Sequence, residues 1–130
     1  MGRGLVAQLL HLNFECGIDI RLETSLEDVL TGPNDDIIGA RVKSKDETQI
    51  IITSKGFILA AGGFARNKIM REKYHPAPTS IEWTSSPKGD TGDAIRAGVK
   101  VGVATAIMED AWWGPTIIDP VTFSPSFVLL

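Results

Sequence analysis

The stretch Phe57-Ile58-Leu59-Ala60-Ala61-Gly62-Gly63-Phe64 decides the fold. Its first five residues are apolar without alternation, the pattern of a strand covered on both faces, as in a parallel sheet flanked by helices. A glycine pair then ends the run. Open α/β sheets bind ligands at the carboxyl ends of their strands, and backbone without Cβ atoms there lets a flat ligand lie close against the chain. Such a pair is more often simply a tight turn leaving a core strand, so the motif needs company.

On the N-terminal side, Leu5, Leu9, Leu12 and Cys16 recur at helical spacing, with Val6 and Leu10 widening the stripe. This predicts a helix over residues 4–15, stopped by Gly17 in the left-handed conformation. Ile18, Ile20 and Leu22 alternate with Asp19, Arg21 and Glu23, the period of a strand with one wet face. Residues 26–53 then read as a small antiparallel meander. Leu26, Val29 and Leu30 mark its first strand, Gly32-Pro33-Asn34-Asp35-Asp36 a turn, and residues 37–43 and 49–53 two further strands around a polar link.

On the C-terminal side, Asn67 is placed to cap a short helix through Tyr74, which Pro76 and Pro78 would end. After a loop, residues 91–99 read as a second helix capped by Thr91 and closed by Gly98 and Gly102. Residues 103–108 suit one more strand, and Trp112-Trp113-Gly114-Pro115 breaks regular structure. The second glycine-bearing segment, Gly89-Asp90-Thr91-Gly92-Asp93-Ala94, opens the second helix. Helix N-termini present unpaired amides, and an acid there can accept hydrogen bonds from ligand hydroxyls. Asp93 is the better candidate for that task, although Asp90 and Asp93 also fit plain capping and first-turn roles.

The 130 residues suit one domain, and a net charge of −3 offers nucleic acid no excess of positive charge. No run of 18 apolar residues or secretory leader is present, so no membrane partner is expected. One cysteine, Cys16, and two histidines, His11 and His75, supply neither an intramolecular disulfide nor a zinc set. A reducing cytoplasm is the expected compartment. Both histidines read as surface residues, and no acid, base or nucleophile set emerges. The apolar end Phe127-Val128-Leu129-Leu130 suggests a piece of a longer chain.

Several segments in order carry a family resemblance. They are Gly2-Arg3 opening a helix, Gly17-Ile18-Asp19-Ile20, Ile38-Gly39-Ala40, residues 58–64, and Thr91-Gly92-Asp93 with Ala97-Gly98 behind. Their order resembles the flavoprotein family of succinate dehydrogenases, fumarate reductases and 3-oxosteroid dehydrogenases. The resemblance implies an α/β fold, α+β within this length: part of a Rossmann-like FAD-binding domain with an antiparallel meander. It further implies FAD as cofactor, with the Ala61-Gly62 backbone near it and an acidic contact from Asp93. On this reading residues 1–130 are an internal segment, and the family's Gly-x-Gly-x-x-Gly turn and substrate cap lie outside them. Such a segment alone is expected to hold FAD weakly or not at all and to be inactive.

One substitution separates the branches. In the dicarboxylate enzymes a Met-Glu pair leads to His-Pro-Thr, whose histidine binds a substrate carboxylate. Here Met108-Glu109 leads to Gly114-Pro115-Thr116. Glycine brings neither charge nor side-chain hydrogen bond, which disfavours succinate or fumarate. Asp110-Ala111-Trp112-Trp113-Gly114-Pro115-Thr116, with Glu82-Trp83-Thr84, looks like the 3-oxosteroid dehydrogenase branch. Trp112 and Trp113 suit either the wall of a pocket for a small apolar, steroid-like substrate or ordinary packing. The single Tyr74 receives no role, although that branch uses tyrosine hydroxyls. The expected activity of the parent is FAD-dependent oxidation of a C–C bond beside a ketone. The alternatives are a fumarate reductase type, another flavin oxidoreductase, or a non-catalytic α/β module that self-associates through exposed apolar surface.

Overall fold

The computed structural model describes residues 2–45 and 47–127. Helix α1, Gly2–Glu15, follows the predicted spacing, and Gly17 stops it at φ 67° with the Ile18 amide returning to the Asn13 carbonyl at 3.0 Å. Its apolar stripe is uncovered. Leu5, Leu9 and Leu12 are each more than half exposed, so the helix is specified by a pattern whose burial partner is not among the described residues.

The meander forms as read. Strands β1 (Ser25–Thr31), β2 (Ile37–Lys43) and β3 (Thr48–Ile52) make one antiparallel sheet in the order β1-β2-β3. Ser25 pairs with Lys43 and Thr31 with Ile37 across the first turn; Gly39 pairs with Ile52 and Lys43 with Thr48 across the second. Asp35 sits at φ 60° in the first turn, a conformation that aspartate tolerates because its short side chain can bond locally.

Helix α2, Lys68–Tyr74, begins at Asn67, whose side chain accepts from the Met70 amide, and ends before Pro76. Helix α3, Asp93–Lys100, lies on β1, where Lys100 Nζ reaches Asp28 Oδ1 at 3.4 Å. The small core sits around these elements: Val29 of β1, Met70 of α2, and Ala94 and Ala97 of α3 are buried. Beyond it, β4 (Thr116–Ile118) and β5 (Pro125–Phe127) form a hairpin that the sequence reading did not anticipate. Val128, Leu129 and Leu130 of the apolar end lie outside the described residues.

Several expectations are corrected. Residues 18–22, 57–61 and 103–108 form no strand, and Ile58 is 91% exposed rather than covered on both faces. A strand needs a hydrogen-bonded neighbour, and the three segments find none among the described residues. Thr91 does not cap α3. Gly92 takes the cap position in the left-handed region, and the Thr91 hydroxyl turns back to the Gly89 carbonyl. Nor does Gly98 close the helix: it lies inside α3, buried, with Val103 and Leu59 packed beside it. The stop comes later, with Gly102 at φ 87° and the Val103 amide bonded to the Gly98 carbonyl at 3.0 Å.

Candidate functional site

The two glycine-bearing segments meet. The Gly92 amide donates to the Gly63 carbonyl at 3.0 Å, and the Arg66 amide to the Asp90 carbonyl at 2.8 Å. Asn67 adds a third tie. Its Oδ1 accepts from the Met70 amide while its Nδ2 donates to the Thr91 carbonyl at 2.8 Å, so one side chain starts α2 and fixes the turn before α3. Gly62, at φ 76°, brings its Cα against the Asp90 carboxylate, where a Cβ would sit 2.6 Å from Oδ1.

A cleft of about 340 Å³ opens between residues 59–62, the α3 face carrying Ala94, Ile95 and Gly98, and residues 103–108. Its walls are mostly small: Ala60, Ala61, Gly62, Ala94, Gly98 and Ala104. Small side chains bring backbone close to whatever enters, and the first-turn amides of α3 lack intrahelical acceptors. Of the three residues singled out from sequence, Ala61 and Gly62 line the cleft. Asp93 does not line it but precedes Ala94, which does, and its carboxylate accepts from the Arg96 guanidinium one turn along.

A second cavity of about 260 Å³ is formed by residues of the 65–85 and 111–116 segments. Ala65, Arg71, His75, Trp83, Trp113 and Gly114 are among the residues lining it. His75 is half-buried rather than a plain surface residue. Its ring centroid is 5.0 Å from that of Phe64 and 5.2 Å, edge-on, from that of Trp113, and its Nδ1 is buried without a partner among the described residues. Burial, then the neighbouring Arg71 charge, pushes its pKa below the ordinary 6.5. Tyr74 packs against Phe64. Trp112 is fully exposed and Trp113 partly so, each at the groove's margin. His11 is exposed and lies 3.4 Å from Glu15.

Two arginines escaped the sequence reading. Arg66 donates from Nε and Nη2 to the Ser86 carbonyl at 3.1 and 2.9 Å and from Nη1 to the Ile81 carbonyl at 3.0 Å, holding the loop that bears Trp83. Arg71 is buried, donating from Nε to Thr79 Oγ1 at 2.9 Å. Nothing in local sequence marks an arginine as interior, because charged side chains are exposed by default. Among the described residues no helix is long and apolar enough to cross a membrane, and no cluster of metal-ligating side chains occurs.

This junction of a glycine turn with a helix N-terminus beside a small-walled cleft is the arrangement expected of a nucleotide-holding α/β domain. The chain belongs to the FAD binding domain family, whose model matches residues 1–128. It is 39% identical to the 3-oxosteroid 1-dehydrogenase of Mycobacterium tuberculosis strain H37Rv over 99% of its own length and 23% of that protein's. A more distant relative, the NADH:fumarate oxidoreductase of Klebsiella pneumoniae strain 342, is 31% identical over 95% of this chain and 13% of that protein. Among solved structures, it superposes with a TM-score of 0.86 and 35% identity on the 3-ketosteroid delta1-dehydrogenase of Sterolibacterium denitrificans, crystallised with 1,4-androstadiene-3,17-dione. That match covers 92% of this chain and 22% of the solved one. The chain therefore spans less than a quarter of the relatives it matches, and the family resemblance, the mixed α/β fold and FAD as the family's cofactor stand as read.

Proposed function

We propose that these residues form part of the FAD site of a dehydrogenase that oxidises a C–C bond beside a ketone in a steroid-like apolar substrate. The observation that carries this reading is the Gly92–Gly63 hydrogen bond. It brings the Gly62-Gly63 turn and the α3 N-terminus together beside one cleft, as a nucleotide running past both would require. The residues fit the cofactor. Ala61 and Gly62 allow close approach of its flat and phosphate-bearing parts, and Asp93 stands at the helix end where a hydroxyl can donate to it. At about 340 Å³ the cleft is at the small end of ligand pockets, enough for a portion of the dinucleotide.

When bound, FAD supplies the acceptor for the hydride. The chain's own part is to hold and orient: the Asn67 clasp fixes the turn, and the aromatic groove presents apolar surface. No residue here is assigned as the proton acceptor. Gly114, standing where the dicarboxylate branch carries histidine, supports a ketone substrate over fumarate. The uncovered stripe of α1 and the exposed Ile58 support the further reading that residues 1–130 are an internal segment, inactive alone, whose apolar faces would drive self-association if isolated. A cytoplasmic location accords with the single, unpaired Cys16.

The test is made on the full-length protein. A flavin absorbance band, together with dye reduction by a 3-oxosteroid and none of fumarate by the reduced enzyme, is expected. Absence of flavin sinks the cofactor reading, and reduction of fumarate without turnover of 3-oxosteroids sinks the substrate class alone.

A further inference from the structure

Arg71 is 7% exposed, and no carboxylate pairs with it among the described residues. Its acceptors are neutral: Thr79 Oγ1 at 2.9 Å and, at the limit of a bond, the Ala65 carbonyl at 3.5 Å. Nη2 has no acceptor among the described residues and is not sealed from solvent. A buried cation held only by neutral partners is costly, and the commonest remedy is an anion. The same guanidinium lines the groove walled by His75, Trp83 and Trp113, and among the described residues no aspartate or glutamate lines that groove.

The groove also lies close to the FAD cleft. Ala61 lines one and Ala65 the other, and four residues of chain reach at most about 14 Å. Resting on the substrate reading above, we propose that this groove is an anionic-tail subsite: a single ligand, the flat apolar substrate, lies with one end toward the cofactor and the other at Arg71, which binds its terminal carboxylate between the aromatic walls. Guanidinium matches a carboxylate in charge and plane, and the rings cover the adjoining hydrocarbon. Arg71 would then set specificity for an oxo-acid of steroid-like skeleton over a neutral ketone.

The experiment compares a 3-oxosteroid carboxylic acid with its methyl ester on the full-length flavoprotein. The acid is expected to have a KM about 10- to 100-fold below the ester's, the range of a hydrogen bond to a charged group, with similar kcat. Arg71→Gln is expected to abolish the ratio by raising the KM of the acid to that of the ester. Equal KM values for acid and ester in the wild type overturn the subsite, as does a ratio that survives Arg71→Gln. Should the variant fail to fold, the wild-type comparison decides, read independently by quenching of tryptophan emission. Equal KM values at similar kcat sink the subsite alone, whereas a flavoprotein that binds and turns over neither sinks the substrate reading with it.

Discussion

The Gly92 amide and the Gly63 carbonyl are joined at 3.0 Å across 29 positions of sequence, so the Gly62-Gly63 turn cannot shift without carrying the start of α3. Gly92 makes that bond from φ 77°, and a Cβ there would lie 2.6 Å from Met70 Sδ and 2.9 Å from Phe64 Cβ. Gly92→Ala is expected to lower stability by about 1–3 kcal/mol, from left-handed strain and crowding together. Gly89→Ala meets nothing within 4 Å and should be close to neutral. Denaturant unfolding of the full-length protein, with flavin content as a second readout, separates the two.

Asn67 tests the other tie. Asn67→Ala removes the cap of α2 and the donor to Thr91, and should cost about 1–2 kcal/mol. Asn67→Asp keeps the acceptor for the Met70 amide and loses only the donor. A smaller drop in melting temperature for the aspartate than for the alanine is expected, and equal drops would mean that the Thr91 bond, not the cap, carries the effect.

What was legible from sequence was local. The stop at Gly17, the Asx-rich turn at residues 32–36, the Asn67 cap and the meander each depend on residues within a few positions of one another. The apolar runs at 57–61 and 103–108 were misjudged because their strand character depends on neighbours that no local pattern contains. Within the site, the glycines were visible because their conformational freedom is written in their identity. Arg71 and His75 were not. Their burial follows from the fold of residues 64–86 around Phe64, and a histidine before proline gives no sign of it.

His75 makes the fold sensitive to mild acid. Burial first, and the Arg71 charge second, hold its pKa below the 6.5 of the free side chain. The unfolded chain therefore takes up a proton at a higher pH than the folded one. Stability that rests on neutral His75 is complete above pH ~6.5 and falls as pH drops through that value toward the lower folded pKa. His75→Phe, which keeps an aromatic ring between Phe64 and Trp113, is expected to lose less stability than wild type between neutral pH and about pH 5.5. Unfolding free energies measured at both pH values check this, and parallel losses in the two proteins would contradict it.

Asp93 decides between the cofactor role and a purely structural one. Its carboxylate pairs with Arg96 at the first turn of α3, a geometry that alone is worth a few tenths of a kcal/mol in an exposed helix. If that were its whole function, Asp93→Ala and Arg96→Ala would each trim stability slightly and leave flavin content unchanged. A contact to FAD predicts a split instead: the full-length Asp93→Ala protein should purify with its flavin largely lost, while Arg96→Ala retains it. The ratio of flavin absorbance to protein absorbance, read after dialysis, reports the difference directly. Because both variants break the same ion pair, only a ligand bond made by Asp93 and not by Arg96 can separate them.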